Sequence, residues 1–277
     1  MITGNAAYDG GHLFLKPEDA RDIVSTAPEL HEKVRPVLGT TEFIDGIQRF
    51  CLWFEDDDLD IANQHPQTGH RIQAVLAYRL EGGQVAKTLT TRPHQFRYRN
   101  QSDKYQILVP QVSSEKREYI PIGFLEKAAV ITHLAHAIFD PKLFDFAILS
   151  SKLHVVWITA VCGKLETRLR YASNLGWNTF PVPTLTDKMK ADLTRCAEDI
   201  LLAREAHFPA TIAELYDPEK MPEDLRAAHH RNDEVLERIY IGRRFKNDTE
   251  RLEKLFELYT NMTVEREVNI KRKAEAS

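Results

Sequence analysis

The stretch DPKLFDFAILSSKLHVVWITAVCGKLETRLRYASNLGWNTFPVP, residues 140–183, determines the architecture that the sequence predicts. Its first half predicts one long, largely buried helix. Asp140 is suited to cap the helix N-terminus, Pro141 fits the first turn, and Gly163 is suited to end the helix in the left-handed conformation. Apolar residues recur at helical spacing between these ends: Leu143, Phe144, Ala147, Leu153, Val156, Trp157 and Ala160.

Charged and less polar side chains alternate over the next eight residues, 164–171. A strand would place all four charges on one face, held rigidly by the preceding helix: Lys164, Glu166, Arg168 and Arg170. Arg and Lys donate hydrogen bonds to guanine and a carboxylate accepts from cytosine, so this face has the groups that read base edges in DNA. The pattern is also typical of a solvated edge strand, and taken alone these residues favour that interpretation.

The composition is that of a folded protein: 277 residues, 43% hydrophobic and 28% charged, enough for one large domain or two ordinary ones. No apolar run approaches the roughly 20 residues of a membrane span. The N-terminus does not resemble a signal peptide, and we expect no membrane partner. The three cysteines, Cys51, Cys162 and Cys196, are far apart and odd in number. They indicate a reducing compartment, the cytoplasm, rather than a disulfide framework or zinc cluster.

The net charge of −4 conceals an uneven distribution. Residues 87–118 carry seven basic and three acidic groups, and residues 152–171 carry four basic and one acidic group. The rest of the chain carries 26 basic and 37 acidic groups. A basic surface on an acidic body suits a polyanion held on one side, although chance clustering in a highly charged chain gives the same totals.

The first 139 residues predict a mixture of short strands and helices. Helices are predicted over 17–24 and 70–80, and strands over 12–15, 106–112 and 119–124. One or two strands are predicted over 128–139, and two within 35–54 around the hairpin dipeptide Asp45-Gly46.

A short loop between two predicted strands combines hydroxyls and cations, a mixture that commonly holds phosphate oxygens. Its candidate phosphate-binding residues are Ser113, Ser114, Lys116 and Arg117. Lys152 and Asn174, within residues 140–183, are further candidates for phosphate contacts.

Two clusters could suggest a metal, and we favour neither. The acidic run 55–58 lacks the spacing of a calcium loop and is more typical of a solvated turn. His133 and His136 have no third ligand nearby, so packed or exposed neutral histidines explain them better. The sequence therefore predicts no metal site.

The sequence becomes helical after Pro183, where we predict a domain boundary. Apolar spacing predicts four helices, one of them opened by the capping box formed by Thr211 and Glu214. The predicted fold class is α+β: residues 1–183 form a mixed α/β domain with short strands and one long buried helix, and residues 184–277 form an all-α domain that braces it.

Catalytic motifs are missing from the sequence. It has no glycine-rich dinucleotide loop, P-loop, Cys-x-x-Cys, His-Glu-x-x-His or Gly-x-Ser-x-Gly motif. An aminomethyltransferase would also need an Asn/Asp-Pro-Pro-aromatic tetrad, which Asp140-Pro141 matches in its first two positions alone. The residues therefore predict a chain that binds, with no catalytic residue and no cofactor of its own.

Several phrases, spread in order over nearly the whole chain, resemble the C-terminal part of the MmeI-type restriction–modification enzymes. They are Tyr8-Asp9-Gly10-Gly11, Arg35-Pro36 with Leu38-Gly39, Leu108-Val109-Pro110, Val112-Ser113-Ser114-Glu115, Tyr119-Ile120-Pro121-Ile122-Gly123-Phe124, Val161-Cys162-Gly163, Asn178-Thr179-Phe180-Pro181 and Leu215-Tyr216-Asp217-Pro218. In that family one polypeptide joins nuclease, adenine-methyltransferase and DNA-recognition regions.

The resemblance implies a DNA target recognition domain over residues 1–183 and a helical C-terminal domain after it. It implies double-stranded DNA as partner, and an upstream methyltransferase region that binds S-adenosylmethionine. In the family, a charged pair just after the Val-Cys-Gly phrase reads one base pair. Glu166 and Arg168 occupy that place, with Arg170 as a further candidate. Other base-reading residues are expected within 131–139.

Two other classes remain open at this point. The basic residues could serve an acidic protein partner in an interaction or structural domain. RNA binding is a third possibility, with less support because no RRM-like aromatic motif is present. A gel shift with random duplex DNA at low and moderate salt would separate these classes.

Overall fold

The computed structural model describes the backbone of residues 1–275 and the side chains of residues 1–264. Within this part of the chain there are two compact units. The sheet unit comprises residues 2–109 and 123–140. The helical unit comprises residues 110–122 and the chain from residue 141 onward, together with residue 1. The predicted boundary after Pro183 falls inside the helical unit, and it stays a prediction.

Short elements fill the first half of the chain. They are β1 (Ile2–Thr3), β2 (Phe14–Leu15), α1 (Pro17–Thr26), β3 (Val34–Leu38), α2 (Thr40–Asp45), β4 (Phe50–Leu52), α3 (Leu59–Gln64), α4 (Pro66–Glu81), α5 (Gln84–Lys87), β5 (Tyr105–Pro110), β6 (Val112–Ser113), β7 (Gly123–Glu126), β8 (Val130–Ile131) and β9 (Ala135–Phe139). The second half contains α6 (Leu143–Leu149), α7 (Lys152–Val161), β10 (Lys164–Leu165), β11 (Arg168–Arg170), α8 (Asp187–Glu205), α9 (Ile212–Leu215), α10 (Glu223–Ile241) and α11 (Asp248–Glu275).

The sheet unit is built on two small sheets among the described residues, with strand orders β1-β9-β5-β7 and β2-β4-β3-β8. Strands β3 and β4 pair antiparallel, as predicted, but the connection between them was predicted wrongly. Gly46 has a φ of +67° and ends helix α2 instead of forming a hairpin turn. A glycine in this conformation suits both structures, so the dipeptide alone could not distinguish them.

The arginines of the basic window 87–118 that lie in the sheet unit have partners within the fold, while Lys87 and Lys104 are exposed. Arg92 donates to the carbonyls of Phe96 and Arg97, each at 3.1 Å. Arg99 pairs with Asp56 at 2.9 Å and with Glu55 at 3.4 Å. The acidic run 55–58 is therefore an internal partner for Arg99.

The long helix predicted from Asp140 to Gly163 is two helices, α6 and α7, which bend by 59° at Ser150 and Ser151. The Ser151 hydroxyl donates to the Ile148 carbonyl at 2.7 Å and accepts from the backbone N–H of His154 at 3.2 Å. These local bonds end one helix and cap the next. Asp140 lies in the sheet unit instead, where its carboxylate accepts from the Asp103 N–H at 2.7 Å. The predicted burial of both helices is confirmed.

The helical region after Pro183 is confirmed in the described residues, where α8 to α11 follow one another without a strand. Helices α8 and α10 pack together through apolar side chains that are fully buried, among them Leu193, Ile200, Leu225 and Leu236. The α+β fold class is therefore confirmed.

No single helix of the described chain is long and apolar enough to cross a membrane. The bent pair α6 and α7 would satisfy length and composition only if the two helices were counted together.

Candidate nucleic-acid interface

The predicted charged strand is a two-stranded hairpin. Strands β10 and β11 pair antiparallel, with Lys164 opposite Leu169 and Leu165 opposite Arg168. Glu166 and Thr167 form the turn. Glu166 has a φ of +59°, as hairpin turns of the I′ and II′ types require at this position.

The pairing divides the predicted row of charges between two faces, so the single-face prediction is wrong. Directly opposite residues of an antiparallel pair share a face, and side chains alternate along each strand. Leu165, Arg168 and Arg170 therefore lie on one face, which we call the outer face, and all three are exposed. Lys164 shares the other, inner face with Leu169, which is only 6% exposed.

Glu166 and Arg168 form an ion pair of 2.9 Å near the tip of the hairpin. Their side chains are 76% and 48% exposed, so the pair contributes at most about 1 kcal/mol to stability. A non-glycine residue in the left-handed region also costs about 1–2 kcal/mol. A carboxylate at a position that favours glycine or asparagine is the kind of local strain that accumulates at functional sites.

Strand β6 brings the predicted phosphate-binding loop beside the hairpin. It pairs with β11 so that Ser113 lies opposite Leu169 and Val112 opposite Arg170. The Thr167 hydroxyl and the backbone N–H of Glu115 donate hydrogen bonds to the Glu115 carboxylate, and these bonds hold its pKa below the usual value. The loop and the hairpin tip are thus fastened to each other.

The candidate phosphate-binding residues differ in their accessibility. The Ser113 hydroxyl is buried on the inner face, offers no surface to a phosphate, and is left out of the interface that we propose. The Ser114 hydroxyl accepts from the Lys116 N–H at 3.3 Å and shapes the turn. Lys116 and Asn174 are exposed, and Arg117 is half-buried.

A groove of about 430 Å³ runs between the inner face of the hairpin and helix α7. Its lining combines cations, carboxylates and an apolar floor: Glu115, Arg117, Lys152, Val155, Val156, Thr159, Ala160, Lys164, Leu169, Asp248 and Leu252. Lys152 and Arg117, predicted as phosphate-binding residues, therefore meet Lys164 in one place, although the three are distant in sequence.

Helix α10 fixes the bend between α6 and α7, from which the groove begins. Asn232 donates to the Ala147 carbonyl at 2.8 Å, and His229 Nδ1 donates to the Ser150 carbonyl at 3.0 Å. The Asp233 carboxylate accepts from the Lys152 N–H at 2.7 Å. Three side chains of one helix face thus satisfy backbone groups that the broken helix leaves unpaired.

Two aromatic contacts complete this support. The Asp233 carboxylate also accepts from the Tyr119 hydroxyl at 2.7 Å, and the Tyr119 ring stacks on His229 with centroids 4.1 Å apart. Burial lowers the pKa of His229 to about 3, so its ring is neutral and Nε2 accepts from the Tyr216 hydroxyl at 2.8 Å. The loop that carries Lys116 and Arg117 is therefore anchored to the helices through Tyr119.

Helix α7 is also fixed on its other side. Trp157 is buried and donates to the Gly176 carbonyl at 3.1 Å, and its ring packs against Phe256 and Tyr259 of α11. His154 is within 2.9 Å of the Tyr171 hydroxyl. The hairpin thus follows directly from a helix that cannot easily move.

Comparison with known proteins agrees with this architecture. Residues 1–184 match the family model of the MmeI target recognition domain, and residues 185–266 match the model of the MmeI C-terminal domain. This chain belongs to the MmeI family. The predicted resemblance is confirmed, over both parts of the chain.

Two relatives show how much of the family this chain represents. DNA methyltransferase A of Bacillus subtilis (strain 168) is 36% identical over 94% of this chain, which covers 30% of that protein. The Type IIL restriction-modification enzyme MmeI, solved in complex with DNA, superposes with a TM-score of 0.87 at 31% identity, over 95% of this chain and 35% of that one. The chain therefore spans about a third of the length of these MmeI-family proteins.

The family match leaves the individual site residues as predictions. The structure brings Glu166, Arg168 and Arg170 close together at an exposed edge and separates Lys164 from them. Residues 131–139, where further base-reading residues are expected, lie in the sheet unit around β8 and β9. The described residues contain no group of three or more side chains suited to hold a metal ion.

Sequence reasoning missed the residues of α10 that support the interface. His229, Asn232 and Asp233 follow the i, i+3, i+4 spacing of one helix face. Polar side chains at buried positions of an amphipathic helix require partners, and that requirement was the available signal. The partners themselves could not be read from the sequence.

Proposed function

We propose that this chain is the DNA-recognition part of a restriction–modification adenine methyltransferase of the MmeI family. One observation carries the proposal. The hairpin presents Glu166, Arg168 and Arg170 at an exposed edge, and no described residue forms an ion pair with Arg170. These are donors and acceptors of the kind that contact base edges in the major groove.

The proposed mechanism separates base contacts from backbone contacts. Arg168 and Arg170 would donate to O6 and N7 of guanine, and Glu166 would accept from N4 of cytosine. The ion pair between Glu166 and Arg168 is exposed, so exchanging it for contacts with a base pair costs little. Each good bidentate contact provides about 1–3 kcal/mol of discrimination against the wrong base.

Contacts with phosphates would set the position of the protein along the duplex. We assign these to Ser114, Lys116, Arg117, Lys152 and Asn174, which surround the hairpin in sequence or space. Such contacts carry no sequence information but determine which base pair the hairpin meets.

The other activities of the enzyme belong to regions outside this chain. We place the methyltransferase, and the S-adenosylmethionine that it uses, upstream, because the sequence has no glycine-rich cofactor loop. There an adenine would leave the base stack for methylation. The described cysteines are free thiols, which fits the cytoplasm, where such an enzyme meets its DNA.

The test exchanges the charges of the ion pair. Glu166→Lys combined with Arg168→Asp should change base preference at one position of the site and leave affinity for random duplex DNA similar. Both are measured by selection from a randomised duplex library, followed by gel shift at two salt concentrations. An equal loss of binding to every sequence would refute a base-reading role. If the unaltered chain binds no duplex even at low salt, a protein-interaction domain becomes the better explanation.

A further inference from the structure

We infer that the groove between the inner face of the hairpin and α7 holds a phosphate of the DNA backbone, and that Lys164 belongs to this site. The inference rests on the proposed function and divides the hairpin between two tasks. The outer face would contact bases, and the inner face would contact the backbone.

The strand register places Lys164 in the groove. Lys164 lies directly opposite Leu169, and Leu169 is buried in the floor of the groove. Arg168 and Arg170 project from the other face of the same sheet. Lys164 therefore begins on the face of the hairpin opposite to the two arginines.

Three cations converge on the groove from separate segments. Arg117 comes from the loop after β6, Lys152 from the first turn of α7, and Lys164 from β10. In the described part of the chain, neither lysine forms an ion pair with a carboxylate through its side chain. Two lysine ammonium groups without such a partner at one groove suit a negatively charged ligand, and on this edge of the molecule that ligand would be a phosphate.

The two carboxylates of the groove are already occupied. Asp248 pairs with Arg251 at 2.7 Å within α11. The Glu115 carboxylate accepts from the Thr167 hydroxyl and its own backbone N–H, and it lies close to Lys116 and Arg168. In the described residues neither carboxylate forms an ion pair with Lys152 or Lys164.

The floor explains why a nucleic-acid backbone fits better than a free anion. Ala160, which is exposed, and Leu252, which is half-buried, give the groove an apolar surface that a sugar ring can cover while its phosphate meets the lysines. Exclusion of water by that contact strengthens the attraction between charges.

Neutral lysine variants separate the two tasks. Lys164→Gln should reduce the slope of log affinity against log salt by about 0.9 and leave base preference unchanged. Lys152→Gln should do the same, and the double variant should lose about twice as much. Lys188→Gln on α8, an exposed lysine away from the groove, is the matched control and should change neither quantity. Circular dichroism and thermal melting verify that each variant is folded.

A second pair of variants tests the groove itself. Ala160 is exposed and lines the groove, so Ala160→Glu introduces a negative charge without disturbing the core. All duplexes should bind at least about fivefold more weakly, because a like charge about 4 Å from a phosphate has that effect in water and a larger one where water is excluded. Ala160→Gln, a neutral side chain of similar size, is the reference against which Ala160→Glu is compared.

The outcomes distinguish this inference from the proposed function. A changed base preference in Lys164→Gln, with an unchanged salt slope, would overturn the phosphate site and leave the base-reading hairpin in place. Equal binding by Ala160→Glu and Ala160→Gln would also overturn it. Absence of duplex binding by the unaltered chain would instead remove the proposed function and this inference together.

Discussion

A buried carboxylate beneath the interface should make the stability of this protein depend on pH in an unusual direction. Asp233 is 4% exposed and accepts hydrogen bonds from the Tyr119 hydroxyl and the Lys152 N–H. Burial raises its pKa from 3.8 to about 6, although the two hydrogen bonds oppose the rise. The perturbation is Asp233→Asn, which keeps the shape and removes the titration.

The direction of this pH dependence follows from proton binding to Asp233. Between pH 4 and pH 6 the folded protein holds a proton on Asp233 that the unfolded chain has released, so this group's stabilising contribution falls as pH rises. It is fully present below pH 3.8 and lost above the folded pKa of about 6. With these two values, Asp233 should remove about 2 kcal/mol from the free energy of unfolding between pH 4.5 and pH 7.

Urea denaturation at pH 4.5, 5.5 and 7 measures the effect. The difference in free energy of unfolding between Asp233→Asn and the unaltered chain should shift by about 2 kcal/mol in favour of the variant as pH rises. Taking the difference cancels carboxylates common to both proteins, such as Glu250, whose pKa is lowered to about 2. Tyr119→Phe removes a hydrogen bond to the charged form and should steepen the dependence. A difference that is the same at all three pH values would refute the reasoning.

Three further predictions concern the two units and the interface. Arg79 is buried and donates to five backbone carbonyls. Arg79→Lys has only three donors and should lower the free energy of unfolding by about 2–4 kcal/mol in urea titrations. An unchanged urea midpoint would contradict this. Glu166→Gly should keep or raise Tm, because a φ of +59° costs a non-glycine residue about 1–2 kcal/mol. The same variant should alter base preference in library selection. Lower Tm with unaltered preference would count against a functional role for the strain. Removing Lys116 and Arg117 together should weaken binding to every duplex and reduce the slope of log affinity against log salt by about two units. An unchanged slope would disprove this prediction.

The helices were predictable because their signals are local. The apolar periodicity of residues 140–183 correctly predicted burial, and the helical spacing after Pro183 correctly predicted α8 to α11. The bend at Ser150 and Ser151 was also signalled, since adjacent serines bond readily to nearby backbone, but the apolar pattern continues across it. Its geometry depends on side chains of α10 that lie some 80 residues further along the chain.

The site was less predictable because distant segments form it. The alternation over residues 164–171 correctly indicated extended structure, but nothing local signalled a turn at Glu166-Thr167, which lacks the glycine or asparagine of common hairpins. Strand β11 also pairs with β6, which is distant in sequence, and places Leu169 opposite Ser113. The groove requires residues from four segments and could not be inferred from spacing.

The same division of labour bears on how base preference can change in such a chain. The backbone of the hairpin is held by its pairing with β6, by the buried Leu169 and by the rigid helix α7. The outer-face side chains contribute little to that support, since the exposed pair of Glu166 and Arg168 is worth at most about 1 kcal/mol. Substitutions on the outer face should therefore alter contacts with bases while the fold and the inner-face phosphate site persist. Stability and specificity are thus carried by different residues of one short hairpin.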